Sequence, residues 1–362
     1  MIGKVLLCTP SIVSADMNDS LTRPLSLDEV QAAAAQLGSL KAPGPDGFPG
    51  LFYQRYWSTV SSVVNDSASD FFNQIVNLNM THIVLIPKIL HPEELGQFRP
   101  ISLCNNSYKL LAKILANRLK VILPNIISSH QNAFVPHRQI QDNVLLAHEA
   151  FHHLRLKKSI CKFELGLKLD MNKAYDRIEW DFLQAMMYKM GFNDQWVSLI
   201  MRCVSSVSFA VMLNGKVGSQ FCPSRGLRQG DPLSPYLFLL VSEALSNMIS
   251  YNSSLGQLQG IYLHNRCPML THLFFADDSI FFLAATNHNC VVMEEILFDY
   301  CLASGQLIHL DKSNIFFSPN TPLWVRKDLC WIFGIKEADN PGNYLGLPTI
   351  WGRSKKEALN YI

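Results

Sequence analysis

Two adjacent aspartates, Asp277 and Asp278, interrupt what would otherwise be one apolar stretch, with Leu273-Phe274-Phe275 before them and Ile280-Phe281-Phe282-Leu283 after. Aromatic and β-branched residues at this density predict two short strands, and the polar pair between them predicts a tight hairpin carrying the carboxylates at or beside its turn. Side-by-side anions repel each other. Their proximity becomes favourable around a divalent cation, and hard carboxylate oxygens suit Mg2+ or Mn2+. Asp is also an ordinary turn former. The hairpin alone therefore leaves a polar turn and a metal site both open.

A third carboxylate arrives 107 residues earlier. Lys162, Glu164, Lys168 and Asp170 alternate with Phe163, Leu165, Leu167 and Leu169, the pattern of a half-buried strand that delivers Asp170 at its exit. A helix is expected next, carrying Tyr175, Ile178, Trp180, Phe182, Leu183 and Met186. A carboxylate delivered between strand and helix sits at a sheet edge, where sites tend to lie, although a plain helix cap needs the same residue. Further on, Asn214-Gly215 between 209–213 and 216–217 signals a type I′ hairpin. It is followed by a glycine-bracketed loop, 226–235 (GLRQGDPLSP), that would present Arg228 and Gln229, and by a nearly all-apolar helix over 236–249.

The first half is organised differently. Ser26 can cap a helix reaching Ala35, and 41–50 (KAPGPDGFPG) reads as an ordered loop because it runs into Phe52, Tyr53, Tyr56 and Trp57. Two strand-like runs, 81–88 and 98–103, each hold one cation and one proline: Lys88 with Pro87, Arg99 with Pro100. In the helix predicted over 108–123, Lys109, Lys113 and Lys120 fall within about 40° of one another at 100° per residue. Arg118 lies on the apolar side of that helix and must either find a partner or point along a groove. His148-Glu149-Ala150-Phe151-His152 matches a short zinc-protease signature, but no third ligand follows in a companion pattern.

With 362 residues, 48% of them hydrophobic, the chain can bury a large core. The net charge of +2 is uneven, being −3 over 1–80, +6 over 81–160 and −1 beyond, so one basic module stands beside an acidic pair. No run of 18 apolar residues predicts a membrane span, and 1–14 is too weakly apolar for a secretory signal. The nine cysteines are scattered singly, which supports neither a disulfide framework nor a cysteine zinc site. An intracellular protein of the nucleus or cytoplasm, not secreted, is expected.

The ordered set of motifs closely resembles the reverse transcriptase of LINE-type non-LTR retrotransposons, particularly the plant group. The resemblance runs through 42–48 (APGPDGF), 85–88 (LIPK), 98–103 (FRPISL), 108–120, 131–138, 169–180 (LDMNKAYDRIEW), 226–238 (GLRQGDPLSPYLF), 275–278 (FADD), 304–313 and 344–348. It implies an α+β right-hand polymerase, with an antiparallel sheet packed on helices. Residues 1–80 would be an N-terminal extension, 81–160 the fingers, 161–318 the palm and 319–362 the start of a truncated thumb, with the reverse transcriptase domain over about 81–350.

By matching position, Asp170, Asp277 and Asp278 would be the catalytic carboxylates and would hold two Mg2+ or Mn2+ ions. Lys88, Arg99, Tyr175, Gln229, Gly230 and Lys312 would meet the nucleotide, with Tyr175 as the steric gate against a ribose 2′-hydroxyl. Lys109, Lys113, Arg118, Lys120, Arg138 and Arg228 would contact nucleic acid. The family usually has Asn where His309 stands. Implied partners are an RNA template, a DNA primer and deoxynucleoside triphosphates, with no membrane, while the endonuclease and C-terminal domains of a parent element would be missing. A catalytically inactive nucleic-acid-binding remnant is the alternative, and an RNA-templated RNA polymerase would share the same palm.

Overall fold

The computed structural model describes residues 1–73 and 79–350. The last stretch of the expected thumb start, 351–362, lies outside the described residues. In chain order the strands of two four-stranded sheets are β1 (Met80–Pro87), β2 (Phe98–Cys104), β3 (Glu164–Leu169), β4 (Ser208–Leu213), β5 (Lys216–Phe221), β6 (His272–Phe275), β7 (Asp278–Ala284) and β8 (Asn314–Phe317). Contacts divide the chain into two compact units, one from 11–126 with 175–238, the other from 1–10, 127–174 and 239 onward. The mixed α+β class is the expected one.

The first of these units holds the sheet β2-β1-β4-β5, in which β1 pairs antiparallel with β2 and parallel with β4. The β4–β5 turn places Asn214 at φ 50° and Gly215 at φ 75°, the two left-handed residues that a type I′ turn requires. The helix Asn106–Ile126 buries Leu110, Leu111, Ile114, Leu115 and Leu119, each worth roughly 1.5–3 kcal/mol of hydrophobic stabilisation. The Pro/Gly loop is ordered against its start. Asp46 N–H donates to Asn105 Oδ1 at 3.0 Å and Asn106 Nδ2 to the Phe48 carbonyl at 2.6 Å. Gly44 has no space for a Cβ, which would lie 2.4 Å from the Asn105 nitrogen.

The other unit holds the antiparallel sheet β6-β7-β3-β8, with β3 flanked by β7 and β8. Alternation suggested a half-buried β3 with a polar face. The strand is instead central and covered by the helix Ile140–Leu156, whose Phe151 packs so closely that a Cβ on Gly166 would sit 2.6 Å from its ring. Phe151 also meets Phe282 and Phe316 edge-on at 5.3 and 5.9 Å. Glu164, on the expected polar face, is 8% exposed and held by His153 at 3.0 Å and Lys157 at 2.6 Å. A neighbouring helix has thus converted charge alternation into buried pairing.

The helix expected directly after Asp170 starts only at Trp180. Residues just beyond Asp170 are drawn into backbone pairing instead: Met171 bridges Ile308, Asn172 N–H donates to the Leu307 carbonyl at 2.7 Å, and Lys173 adopts φ 52°. Helical periodicity over 175–186 is satisfied in its second half alone. Among the described residues no helix is long and apolar enough to cross a membrane.

Candidate active site

Asp170 follows the last residue of β3, and a turn from far along the chain grips its backbone. Its carbonyl accepts from His309 N–H at 2.8 Å, and its N–H donates to Ser313 Oγ at 3.2 Å. Ser313 Oγ in turn donates to the His309 carbonyl at 2.9 Å. The contact with Asp170 is made by the backbone of residue 309 and not by the His309 side chain. Lys312 sits exposed on the same turn, Leu310–Lys312.

The Asp-Asp hairpin forms as the sequence implies. β6 pairs with β7 through Phe275 opposite Asp278, leaving Ala276-Asp277 as the turn. β7 pairs with β3 through Ser279 opposite Leu169, so one further step along this register brings Asp278 opposite Asp170. Crowding by protein pushes the Asp277 carboxyl above the ordinary aspartate range, and the Asp170 charge pushes it further. Asp278 is raised by the same desolvation, then by Asp277 and by Asp170, against an opposing pull from Lys168. Desolvation is the larger cause at both residues, and like charge held close adds to it.

Hard carboxylate oxygens from three residues at one sheet edge are a donor set that fits Mg2+ or Mn2+. The Asp170 charge contributes to the rise at both Asp277 and Asp278. Among the described residues no group of three or more His, Cys, Asp or Glu side chains is placed so as to hold a metal ion. The same holds for His148 and His152, one turn apart on Ile140–Leu156 with rings 6.3 Å apart.

Lys88, Arg99, Tyr175, Gln229 and Gly230 lie in the unit with β1 and β2. Lys88 follows β1 and Arg99 is the second residue of β2, opposite Ile86, so both exposed cations belong to one hairpin. Lys88 Nζ donates to the Gly96 carbonyl at 3.0 Å. Gln229 offers its carbonyl to Ser102 N–H of β2 at 2.9 Å, and exposed Gly230 takes φ 105° beside Ser102. Tyr175 is half-buried, its ring stacked on Phe238 at 4.9 Å with planes 15° apart. Its carbonyl accepts from Leu227 N–H at 2.7 Å, which ties Tyr175 to the glycine loop.

Three arginines expected at nucleic acid are occupied within the fold. Arg118 donates to both carboxylate oxygens of Glu29 at 2.8 Å and to the carbonyls of Leu21 and Arg23, and it is 4% exposed. Arg228 is 6% exposed; it pairs with Asp231 at 2.8 Å, donates to Asn79 and to the Cys203 carbonyl, and lies 4.0 Å above the Tyr108 ring. Arg138 binds the carbonyls of Ile127, Ser128 and Gln131. A guanidinium that already satisfies its donors has little left for a phosphate. Of the lysines, Lys109 reaches the Ala42 carbonyl at 3.4 Å and Lys120 lies 5.4 Å from the Tyr236 ring centre. Lys113 is half-exposed, and its ammonium is lowered by burial and by the charges of Lys120 and Lys41.

Two residues at the carboxylate edge have no role in the sequence reading. Lys168, whose charge opposes the rise at Asp278, donates to the Asn343 carbonyl. Gln131, buried at 1% exposure, contacts the Asp-Asp turn itself. Only its motif, 131–138, carried a signal.

The sequence profile of a family described as reverse transcriptase (RNA-dependent DNA polymerase) matches residues 86–349. The chain is 28% identical over 306 residues to the Transposon TX1 uncharacterized 149 kDa protein of Xenopus laevis, covering 84% of this chain and 23% of that protein. It is 25% identical over 306 residues to the retrovirus-related Pol polyprotein from type-2 retrotransposable element R2DM of Drosophila melanogaster, covering 84% and 27%. A shorter stretch of 68 residues is 50% identical to an uncharacterized mitochondrial protein of Arabidopsis thaliana, covering 19% and 56%. The chain thus spans about a quarter of the length of the first two relatives.

Proposed function

The chain belongs to the reverse transcriptase (RNA-dependent DNA polymerase) family, and from this premise we propose that it is the polymerase portion of a plant LINE-type non-LTR retroelement. It copies an RNA template by adding deoxynucleotides to a DNA primer. One observation carries the reading: Asp170, just after β3, and Asp277 with Asp278, at the start of β7, come together at the same end of two neighbouring strands of one sheet. Fingers in 81–160, a palm in 161–318 and a thumb beginning at 319 follow from the same family reading, as does work inside the nucleus or cytoplasm.

Asp170, Asp277 and Asp278 would hold two Mg2+ or Mn2+ ions. When bound, these ions ease deprotonation of the primer 3′-hydroxyl and offset charge growing on the α-phosphate and the departing pyrophosphate. The primer oxygen forms a bond to the α-phosphorus as the bond to the bridging oxygen breaks. Lys88 and Arg99, two exposed cations of one hairpin, receive triphosphate oxygens. Tyr175, its ring fixed against Phe238, excludes a 2′-hydroxyl. Gln229 and Gly230 meet nucleotide and template, Lys312 a nucleotide phosphate, and Lys113 the nucleic-acid backbone, with a salt-dependent affinity.

The test offers the chain a primed RNA template with Mg2+ and either deoxynucleotides or ribonucleotides. Deoxynucleotide incorporation is expected, and Tyr175→Ala should raise ribonucleotide use by roughly 10- to 200-fold relative to it. Exclusive use of ribonucleotides, or binding of the primed template without any incorporation, contradicts the proposal.

A further inference from the structure

Between β6 and β7, Ala276 adopts φ 54°. A left-handed backbone at a residue with a Cβ costs about 1–2 kcal/mol and persists only where the surroundings hold it. The two-residue turn closed by Phe275 and Asp278 calls for that conformation, and one side chain grips the residue that adopts it. Gln131 Oε1 accepts from Ala276 N–H at 3.0 Å, and Gln131 Nε2 lies 3.4 Å from the Ala276 carbonyl. The carboxamide therefore pairs with Ala276 as another strand's peptide group would. Its second lone pair accepts from Ala133 N–H at 3.0 Å, so the oxygen is held from its own side of the chain as well.

The segment around Gln131 is fixed in turn. Phe274 N–H donates to the His130 carbonyl at 2.8 Å and Asn132 N–H to the Phe274 carbonyl at 3.2 Å, with Gln131 bridging Phe274 in parallel. Arg138 draws the carbonyls of Ile127, Ser128 and Gln131 around one guanidinium. Asn143 Nδ2 donates both to the Phe274 carbonyl at 2.8 Å and to Tyr344 Oη at 3.0 Å. Residues 127–143 thus form a brace along β6 that ends on the residue preceding Asp277.

We propose that Gln131 is a positioning residue for the divalent-cation site, holding Ala276 left-handed so that Asp277 and Asp278 face Asp170 at a fixed spacing. Arg138 serves the same end by shaping the loop that carries Gln131. This inference rests on the metal-site reading above. Loss of an outer group that orients ligands typically weakens metal affinity 10- to 100-fold. Glycine adopts the left-handed conformation without the steric cost. Ala276→Gly should therefore compensate for a missing Gln131 if the conformation of Ala276 is what Gln131 controls.

The experiment titrates Mn2+ into the full chain and follows free Mn2+ by electron paramagnetic resonance, with Mg2+-dependent single-nucleotide incorporation in parallel. Gln131→Ala should weaken Mn2+ binding about tenfold and lower the incorporation rate in step, with primed-template affinity within about twofold of the parent. Adding Ala276→Gly to Gln131→Ala should recover most of the lost Mn2+ affinity. Unchanged Mn2+ binding by Gln131→Ala overturns the proposal. So does a loss that Ala276→Gly leaves uncorrected, because Gln131 is then only part of the core. Failure of the parent itself to bind Mn2+ overturns the metal-site reading and the inference with it, and it is told apart by appearing before any substitution is made.

Discussion

The Asp-Asp turn and the Arg228–Asp231 loop both carry charge at a sharp backbone bend, yet they treat it in opposite ways. In the loop, Arg228 and Asp231 are 6% and 4% exposed and pair at 2.8 Å. Tyr108 adds its hydroxyl to Asp231 Oδ2 at 2.9 Å, and Leu233 N–H donates to Oδ1 at 2.8 Å. Every strong group there has a partner. At the turn, Asp277 and Asp278 are exposed to solvent on one side, each is raised first by desolvation and then by negative neighbours, and only Lys168 opposes the rise at Asp278. Compensated charge builds a scaffold; uncompensated charge awaits a ligand.

The largest effect should come from breaking the compensated side. Arg228→Met leaves Asp231 buried without its cation and should cost about 3–5 kcal/mol of stability, read as a lowered urea midpoint. A pH effect comes next. Glu243 is 3% exposed; its Oε1 accepts from Ser128 N–H at 3.1 Å, its Oε2 has no partner, and burial pushes its carboxyl up to about 8. Arg138 opposes that rise, and the nearby Ser246–His272 pair contributes a histidine held neutral by burial. Because the folded carboxyl titrates above its unfolded value, its stabilisation is complete below about pH 4.3 and is lost as the pH climbs towards 8. Glu243→Gln should remove that slope, which for the parent amounts to on the order of 3–4 kcal/mol between pH 5 and pH 8, when unfolding is compared at the two pH values.

Smaller still is the stability effect at the uncompensated side. Asp278→Asn relieves repulsion at a solvated turn and should leave stability unchanged or raise it by up to about 0.5 kcal/mol, while incorporation falls to background. A marked loss of stability would mean that Asp278 belongs to the scaffold. The smallest stability change should attend Lys88→Ala with Arg99→Ala, within about 0.5 kcal/mol. The half-saturating deoxynucleotide concentration of that pair should nonetheless rise about tenfold in steady-state incorporation.

The same contrast explains what could be read from the residues alone. The Asp-Asp hairpin, the Asn-Gly turn and the helix capped by Ser26 were legible because each depends on neighbours within a few positions. The occupation of Arg118 and Arg228 within the fold is not legible locally, because Glu29 lies 89 positions from Arg118, and Asn79, which joins Asp231 at Arg228, lies 149 positions away. The helix after Asp170 was drawn too early because its first residues pair with 307–309, which no local periodicity encodes. Burial of β3 on both faces was hidden by Glu164, whose partners His153 and Lys157 come from the covering helix and the residue after it. Gln131 left no chemical trace in the sequence, since an amide that braces a turn looks like any other polar residue.

The most direct measurement compares the parent chain with Asp277→Asn, Asp278→Asn for Mg2+-dependent deoxynucleotide incorporation on a primed RNA template, with template binding and thermal unfolding followed on both. The account predicts incorporation by the parent, none by the variant, and equal binding and stability. Incorporation that survives the double substitution, or a variant that unfolds, would contradict the assignment of these carboxylates as uncompensated metal ligands.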